Sequence, residues 1–197
     1  MMKKTITTII LIFVFQTINA QIQIGPKLGV TGYQVISGGS DALGVGIYAG
    51  GFFDYSLNAK TNLQLDIAYV EKGSEEGKNI NTFNYLEFSS KFKFFTNNKE
   101  NNTGFYVSSG LGFNLLLDGK VEKENFIIPK EDLNSFDFSL QLSIGYKTNK
   151  NLSIDFKLID VSLTTTDFEF VDNNNNTLQF NLRNIGANFT LAYGFDL

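Results

Sequence analysis

Hydrophobic and polar residues alternate one for one along most of this chain, most cleanly in the last seventeen residues, Asn181 to Leu197. Ile185, Ala187, Phe189, Leu191, Tyr193, Phe195 and Leu197 share one parity, and Asn184, Gly186, Asn188, Thr190, Ala192, Gly194 and Asp196 share the other. A period of two is the signature of a strand. Seven earlier segments follow the same rule. The first, 21–33, sets Ile22, Ile24, Leu28 and Val30 against Gln23, Lys27 and Thr31, with Pro26 marking an edge or irregularity because it has no ladder donor. The second sets Leu43, Val45, Ile47 and Phe53 against Gly44, Gly46, Tyr48, Gly50, Phe52 and Asp54. The third sets Leu63, Leu65, Ile67 and Tyr69 against Asn62, Gln64 and Asp66, and the fourth Leu86, Phe88, Phe92 and Phe94 against Tyr85, Glu87, Lys91 and Lys93. The fifth sets Phe105, Val107, Leu111, Phe113, Leu115 and Leu117 against Tyr106, Ser108 and Asn114. The sixth sets Phe136, Phe138, Leu140, Leu142, Ile144 and Tyr146 against Asp137, Ser139, Gln141, Ser143 and Lys147. The seventh sets Leu152, Ile154, Phe156 and Leu158 against Asp155 and Lys157, then slips by one residue near Asp160, as a β-bulge does.

The connections alternate in length. Asn58–Thr61, Thr96–Asn102 and Thr148–Asn151 are short, while Ser37–Asp41, Gly73–Asn81, Asp118–Asn134 and Asp172–Asn176 are read as the opposite, longer loops. This pattern predicts an all-β fold: an eight-stranded antiparallel up-and-down transmembrane β-barrel. An even strand number puts both chain ends on one side, expected to be periplasmic, with the long loops outside.

Volume decides which face points in. The interior of an eight-stranded barrel is just wide enough to be filled by side chains, so the Phe, Leu, Ile and Val set cannot all enter it. The Gly, Ser, Asn and Thr set can. The apolar face is therefore expected to meet lipid and the polar face to fill the lumen. The inward set carries five lysines, Lys27, Lys91, Lys93, Lys147 and Lys157, and five carboxylates, Asp54, Asp66, Glu87, Asp137 and Asp155. Buried charges need partners, so these ten are expected to pair as a structural network that plugs the barrel.

Composition narrows the chemistry. The 197 residues include twenty Phe and eighteen Gly but no Cys, His or Trp, with formal net charge -4. No disulfide or thiolate metal site is available. Mechanisms with a histidine base are excluded, and a mildly acidic chain carries no nucleic-acid footprint. Asp66 with Glu87 could act as a carboxylate pair, but an ion-paired role opposite Lys91 is the simpler expectation. The reading is of a non-enzyme without cofactor or metal. At the N-terminus, Lys3 and Lys4, the apolar run Ile9–Phe15 and Ala20 before Gln21 read as a cleaved signal peptide over 1–20, leaving 21–197 as one barrel domain. The apolar run is shorter than the roughly 20 residues a spanning helix needs.

Three other features have bland explanations. Asp167, Glu169, Asp172 and the asparagines 173–176 offer oxygen ligands but lack the spacing of a calcium loop. Gly44, Gly46, Gly50 and Gly51 lie in a strand with no helix behind them to bind phosphate. Lys120, Lys123 and Lys130, interleaved with Glu122, Glu124, Glu131 and Asp132, read as a solvated face and as the best candidate for contact with a partner or lipid headgroups.

NLQLDIAYVEKG at Asn62–Gly73, NYLEFSSKFKFF at Asn84–Phe95 and the alternating aromatics of the last strand resemble the PorT-like outer-membrane β-barrel family, also called a porin family. Their order and spacing run over nearly all of 21–197. The chain ends in Leu197 where that family usually has an aromatic. The resemblance implies insertion by the barrel-assembly machinery, a bacterial outer-membrane location and, for some members, association with secretion or surface assembly; it supplies no catalytic residues. Two alternatives stay open: a narrow channel for small solutes, and a soluble lipocalin-like carrier with its aromatic faces inward.

Overall fold

The computed structural model describes residues 22–36, 43–76, 79–96, 102–123, 126–148, 151–163, 166–171 and 177–197, without the side chains of 76, 79, 123, 126, 166–171 and 177–182. The segment read as a signal peptide and the loops 37–41 and 172–176 lie outside the described residues.

The alternating segments form β1 (Ile22–Ile36), β2 (Leu43–Asn58), β3 (Thr61–Glu76), β4 (Asn79–Phe95), β5 (Gly104–Lys123), β6 (Phe126–Ile128), β7 (Phe136–Lys147), β8 (Leu152–Ser162), β9 (Thr166–Val171), β10 (Thr177–Tyr193) and β11 (Phe195–Asp196). Eight of these, β1, β2, β3, β4, β5, β7, β8 and β10, are hydrogen-bonded neighbours in chain order, all antiparallel. The last returns to the first, from Lys27↔Ala192 to Ile36↔Arg183, and closes the barrel. No sheet edge is left in the closed part of the wall, as a span through hydrocarbon requires. β11 continues the final strand against β1 through Gln23↔Asp196 and Ile24↔Phe195. Pro26 falls where that ladder is interrupted, between Ile24 and Lys27, so its missing N–H costs little there. Opposite it, Gly194 donates its N–H to the Asn151 carbonyl at the neighbouring turn, 2.7 Å away.

The outer wall is apolar. Leu28, Val30, Ile67, Phe92, Phe105, Leu111, Phe138, Ile144, Phe156, Phe189 and Leu191 are all exposed, Phe105 by 65% and Leu28 by 60%. The inner face is polar and buried. This is the reverse of a soluble carrier, whose aromatic faces would be enclosed; the lipocalin-like alternative fails on the exposure of Phe138, Phe156 and Phe189.

Two expected loops are corrected. Gly73–Asn81 is mostly ladder, with Gly73↔Thr82, Ser74↔Asn81, Glu75↔Ile80 and Glu76↔Asn79 in register. Likewise β5 runs on to Lys123, and β6 folds back on it through Val121↔Ile128. The alternation does not stop in these stretches. It changes sense: the outward positions become Glu71, Glu75, Lys120 and Glu122, and the inward ones Val121 and Phe83. A bulge marks the change on β5, where Asn84 pairs with Asp118 and Tyr85 with Leu116, leaving Leu117 as the extra residue.

The slip read near Asp160 is a second bulge. Leu142 pairs with Ile159 but Ser143 with Lys157, so Leu158 and Ile159 both point outward and Asp160 turns in, 1% exposed.

Candidate functional site

The enclosed lumen and its mouth on the long-connection side gather most of the buried polar chemistry of the molecule. All ten residues singled out from sequence, Lys27, Asp54, Asp66, Glu87, Lys91, Lys93, Asp137, Lys147, Asp155 and Lys157, are buried there. Lys72 and Asp160 join them, so the described lumen holds six lysines and six carboxylates. Sequence reading missed both for local reasons. Lys72 lies past Tyr69, the last apolar position of the third segment and just before the predicted Gly73–Asn81 loop, and the bulge reverses the parity of Asp160. The bulge signal itself was legible, and carried through it would have turned Asp160 inward.

The charges lie in layers from the short-turn end upward. Lys93 Nζ is 2.8 Å from Asp54 Oδ2, and Asn62 donates to Asp54 Oδ1 at 2.6 Å. Asn102, in the left-handed conformation at φ 45°, donates to Asn62 Oδ1, to the Asn58 carbonyl and to Ser56, tying two turns together. Asparagine tolerates that conformation better than most residues. Lys147 donates to Gln23 Oε1 at 2.8 Å, and Gln23 donates to Asp196 Oδ1 at 2.6 Å.

In the middle, Asp66 Oδ2 lies 3.2 Å from Lys27 and 3.1 Å from Lys91, and accepts from Gln64 and Ser89 through its two oxygens. Lys91 also reaches Asp155 at 3.8 Å, and Tyr106 donates its hydroxyl to that carboxylate at 3.0 Å. Above this, Lys157 bridges Glu87 at 3.2 Å and Asp160 at 3.0 Å; Lys72 stands 4.0 Å and 3.8 Å from the same two acids. Tyr33 donates to Asp160 at 2.5 Å. The lysines also lie over aromatic faces: Lys72 is 4.9 Å from the Tyr33 ring and 5.3 Å from Tyr85, and Lys93 is 4.9 Å from Tyr106. Carboxylate, ring and amide contacts together repay the desolvation of an ammonium better than one contact would. Asp137 is the remaining acid, buried beside Asn114, which donates to its backbone carbonyl at 3.4 Å.

Space is rationed by glycine. A Cβ on Gly145 would sit 2.2 Å from the Tyr106 ring, and one on Gly50 2.2 Å from the Ile67 carbonyl. Gly44, Gly46, Gly50 and Gly51 all lie within β2, which turns directly into β3 with no helix between.

At the mouth the lumen changes character. Val35, Phe83, Tyr85, Leu116, Val121, Ile128 and Leu133 form one buried apolar cluster across it. Much of it comes from the β5–β7 connection, where Pro129 and a 3₁₀ turn at Lys130–Asp132 bring Leu133 inward. The connection is pinned where Leu116 N–H donates to the Ser135 carbonyl at 2.8 Å and Lys130 Nζ to the Leu117 carbonyl at 2.6 Å. Its outer face exposes Ile127, Lys130, Glu131 and Asp132, and Lys120 pairs with Glu122 at 2.7 Å. Glu124 and residues 172–176, and the side chains of Lys123, Asp167 and Glu169, lie outside what the structure describes.

Chemically this arrangement is a closed polar column under an apolar cover. Its acids are mostly held by lysines, and among the described residues no three His, Cys, Asp or Glu side chains converge as a metal site would need.

Comparison with known proteins fits this geometry. A family model described as "Outer membrane protein beta-barrel domain" matches residues 16–167. No curated protein matches the chain. Among solved structures, Neisserial surface protein A superposes with TM-score 0.53 at 11% identity, covering 87% of this chain and 97% of its own. Ail, the attachment invasion locus protein of Yersinia pestis, superposes with TM-score 0.50 at 14% identity, covering 88% of this chain and 98% of its own. At these identities the likeness is one of fold.

Proposed function

We propose that this chain, which belongs to the outer membrane protein beta-barrel domain family, is a closed barrel of the Gram-negative outer membrane that works through its long-connection end. It acts as a surface-interaction or envelope-assembly component and not as an enzyme. The observation that carries this reading is the filling of the lumen: six lysines and six carboxylates are buried within it, under an apolar cover. Such a barrel has no open bore to use, and its exposed polar chemistry sits on the outer connections, where loops carried by a rigid scaffold place binding residues. The β5–β7 connection, with exposed Ile127, Lys130, Glu131 and Asp132, is the surface we assign to a partner or to lipid headgroups. The PorT-like resemblance of the strands around Asn62–Gly73 and Asn84–Phe95 supports an assembly role.

In this reading residues 1–20 are removed on export and the last strand is read by the barrel-insertion machinery. Both chain ends face the periplasm. The test is single-cysteine labelling of intact cells with a membrane-impermeant maleimide, since the chain has no native Cys. Lys130→Cys is labelled and Lys60→Cys is labelled only after the outer membrane is opened. Labelling of Lys60→Cys in intact cells, with Lys130→Cys protected, contradicts the orientation. Recovery of the protein in the soluble periplasmic fraction contradicts the membrane reading.

A further inference from the structure

We infer that the lumen is a latent path for water and small ions, and that the apolar cover at its mouth, not the ion-pair column, is what closes it. The inference rests on the closed-barrel reading and adds where the closure lies.

The first observation is the wall below the cover. Ser108 Oγ, Gln141 Oε1, Asp160 Oδ1, Asn184 Oδ1 and Thr190 Oγ1 are buried without a hydrogen-bond partner in the protein. They belong to β5, β7, β8 and β10, four neighbouring strands, and so line one side of the lumen. Leaving a buried polar atom unpaired costs about 1–3 kcal/mol. A wall with this many such atoms is a wall for water, which satisfies them at small cost.

The second observation is the contrast between the two ends. At the short-turn end the lumen is closed mainly by Gln23, Asp54, Asn62, Asn102 and Lys147, hydrogen-bonded polar groups that water can compete for, with Phe95 buried beside them against the Tyr106 ring. At the mouth it is closed by Val35, Phe83, Leu116, Val121, Ile128 and Leu133. Side-chain hydrogen bonds exchange with water; a packed apolar layer excludes it. Hydrophobic constrictions stop ions by dewetting even where the pore on either side is wet.

The third observation is that one connection, running back from the end of β5, supplies three members of the cover, Val121, Ile128 and Leu133. Val121 and Ile128 lie in the stretch closed off by the Lys130–Leu117 bond, and Leu133 lies between that bond and the Leu116–Ser135 backbone bond. The fit is close, because a Cβ on Gly119 would already meet Leu116 and Leu133 at 3.3 and 3.4 Å. The outer side of the same connection is the surface assigned above to a partner, so a ligand that pulls on Lys130–Asp132 pulls on the cover.

The experiment is conductance of the reconstituted protein in planar bilayers in potassium chloride. Wild type is silent, and Glu87→Gln with the cover intact stays silent. The double variant Ile128→Ser with Leu133→Ser gives discrete current steps absent from wild type. Lys130→Met, which frees a pin without touching the apolar core, gives intermittent steps. Heat-modifiable migration on gels reports folding for each variant; should the double serine variant fail to fold, Lys130→Met decides. Folded cover variants as silent as wild type overturn the inference and leave the closed-barrel reading standing. Steady conductance by wild type overturns the closed-barrel reading itself.

Discussion

At the scale of single residues, the lumen shows how a narrow barrel accommodates twelve buried lysines and carboxylates. Each lysine that can be traced meets a carboxylate, an amide or an aromatic face within a few ångströms, and the sign balance is even. Removing one member of a buried pair strands the other, which typically costs about 3–5 kcal/mol, whereas removing both can be nearly neutral. Lys93 and Asp54 are the cleanest pair, 2.8 Å apart. Lys93→Met alone and Asp54→Asn alone should each lower the unfolding free energy by about 3–5 kcal/mol. The double variant should lose clearly less than the sum. Reversible denaturant unfolding in bilayers reads this cycle; strict additivity would show that the pair does not interact. Which lysines and acids face inward was readable wherever alternation was regular. Lys72 is hidden because it lies where the apolar signal fades, and Asp160 is readable only when the extra residue in its strand is carried through the count.

At the scale of the strand, the same period of two serves two environments. On β5 the outward residues run Phe105, Val107, Leu111, Phe113, Leu115 and Leu117, then turn to Asp118, Lys120 and Glu122 past the bulge, while Leu116 and Val121 turn inward. Apolar-out gives way to apolar-in where lipid gives way to water. In the sequence alone, the loss of the apolar face resembles the end of a strand, which is why the pattern predicts loops at Gly73–Asn81 and Asp118–Asn134. The fading signal was real, but it marked a change of solvent. The boundary makes a prediction. A lysine in place of Leu111 should cost about 2–4 kcal/mol, the penalty for a cation near the bilayer midplane. A lysine in place of Asp118 should cost about 0–1 kcal/mol, the value near an interface. Equal costs at the two positions would move the membrane boundary and sink the two-environment account of β5. The short-turn end was legible for a related reason: its connections are brief, so strand ends and turns coincide there.

At the scale of the whole molecule, closure and inversion support each other. The eight-stranded ring leaves no free edge in the spanning wall, and the ring's small bore forces the bulky side chains out and the small and charged ones in. What the pattern of residues did not show is the apolar cover over the mouth, since its members come from β1, β4, β5, β6 and the β5–β7 connection and share no local period. The central claim is the direction in which each face points, and it can be tested on the unaltered protein. Reconstituted into bilayers with photoactivatable diazirine acyl chains and mapped by mass spectrometry after illumination, the protein should carry adducts on Phe138, Leu140, Phe156 and Phe189 and none on Asp66, Lys91 or Asp155. Adducts on those three charged residues, with the four apolar ones unmodified, would contradict it.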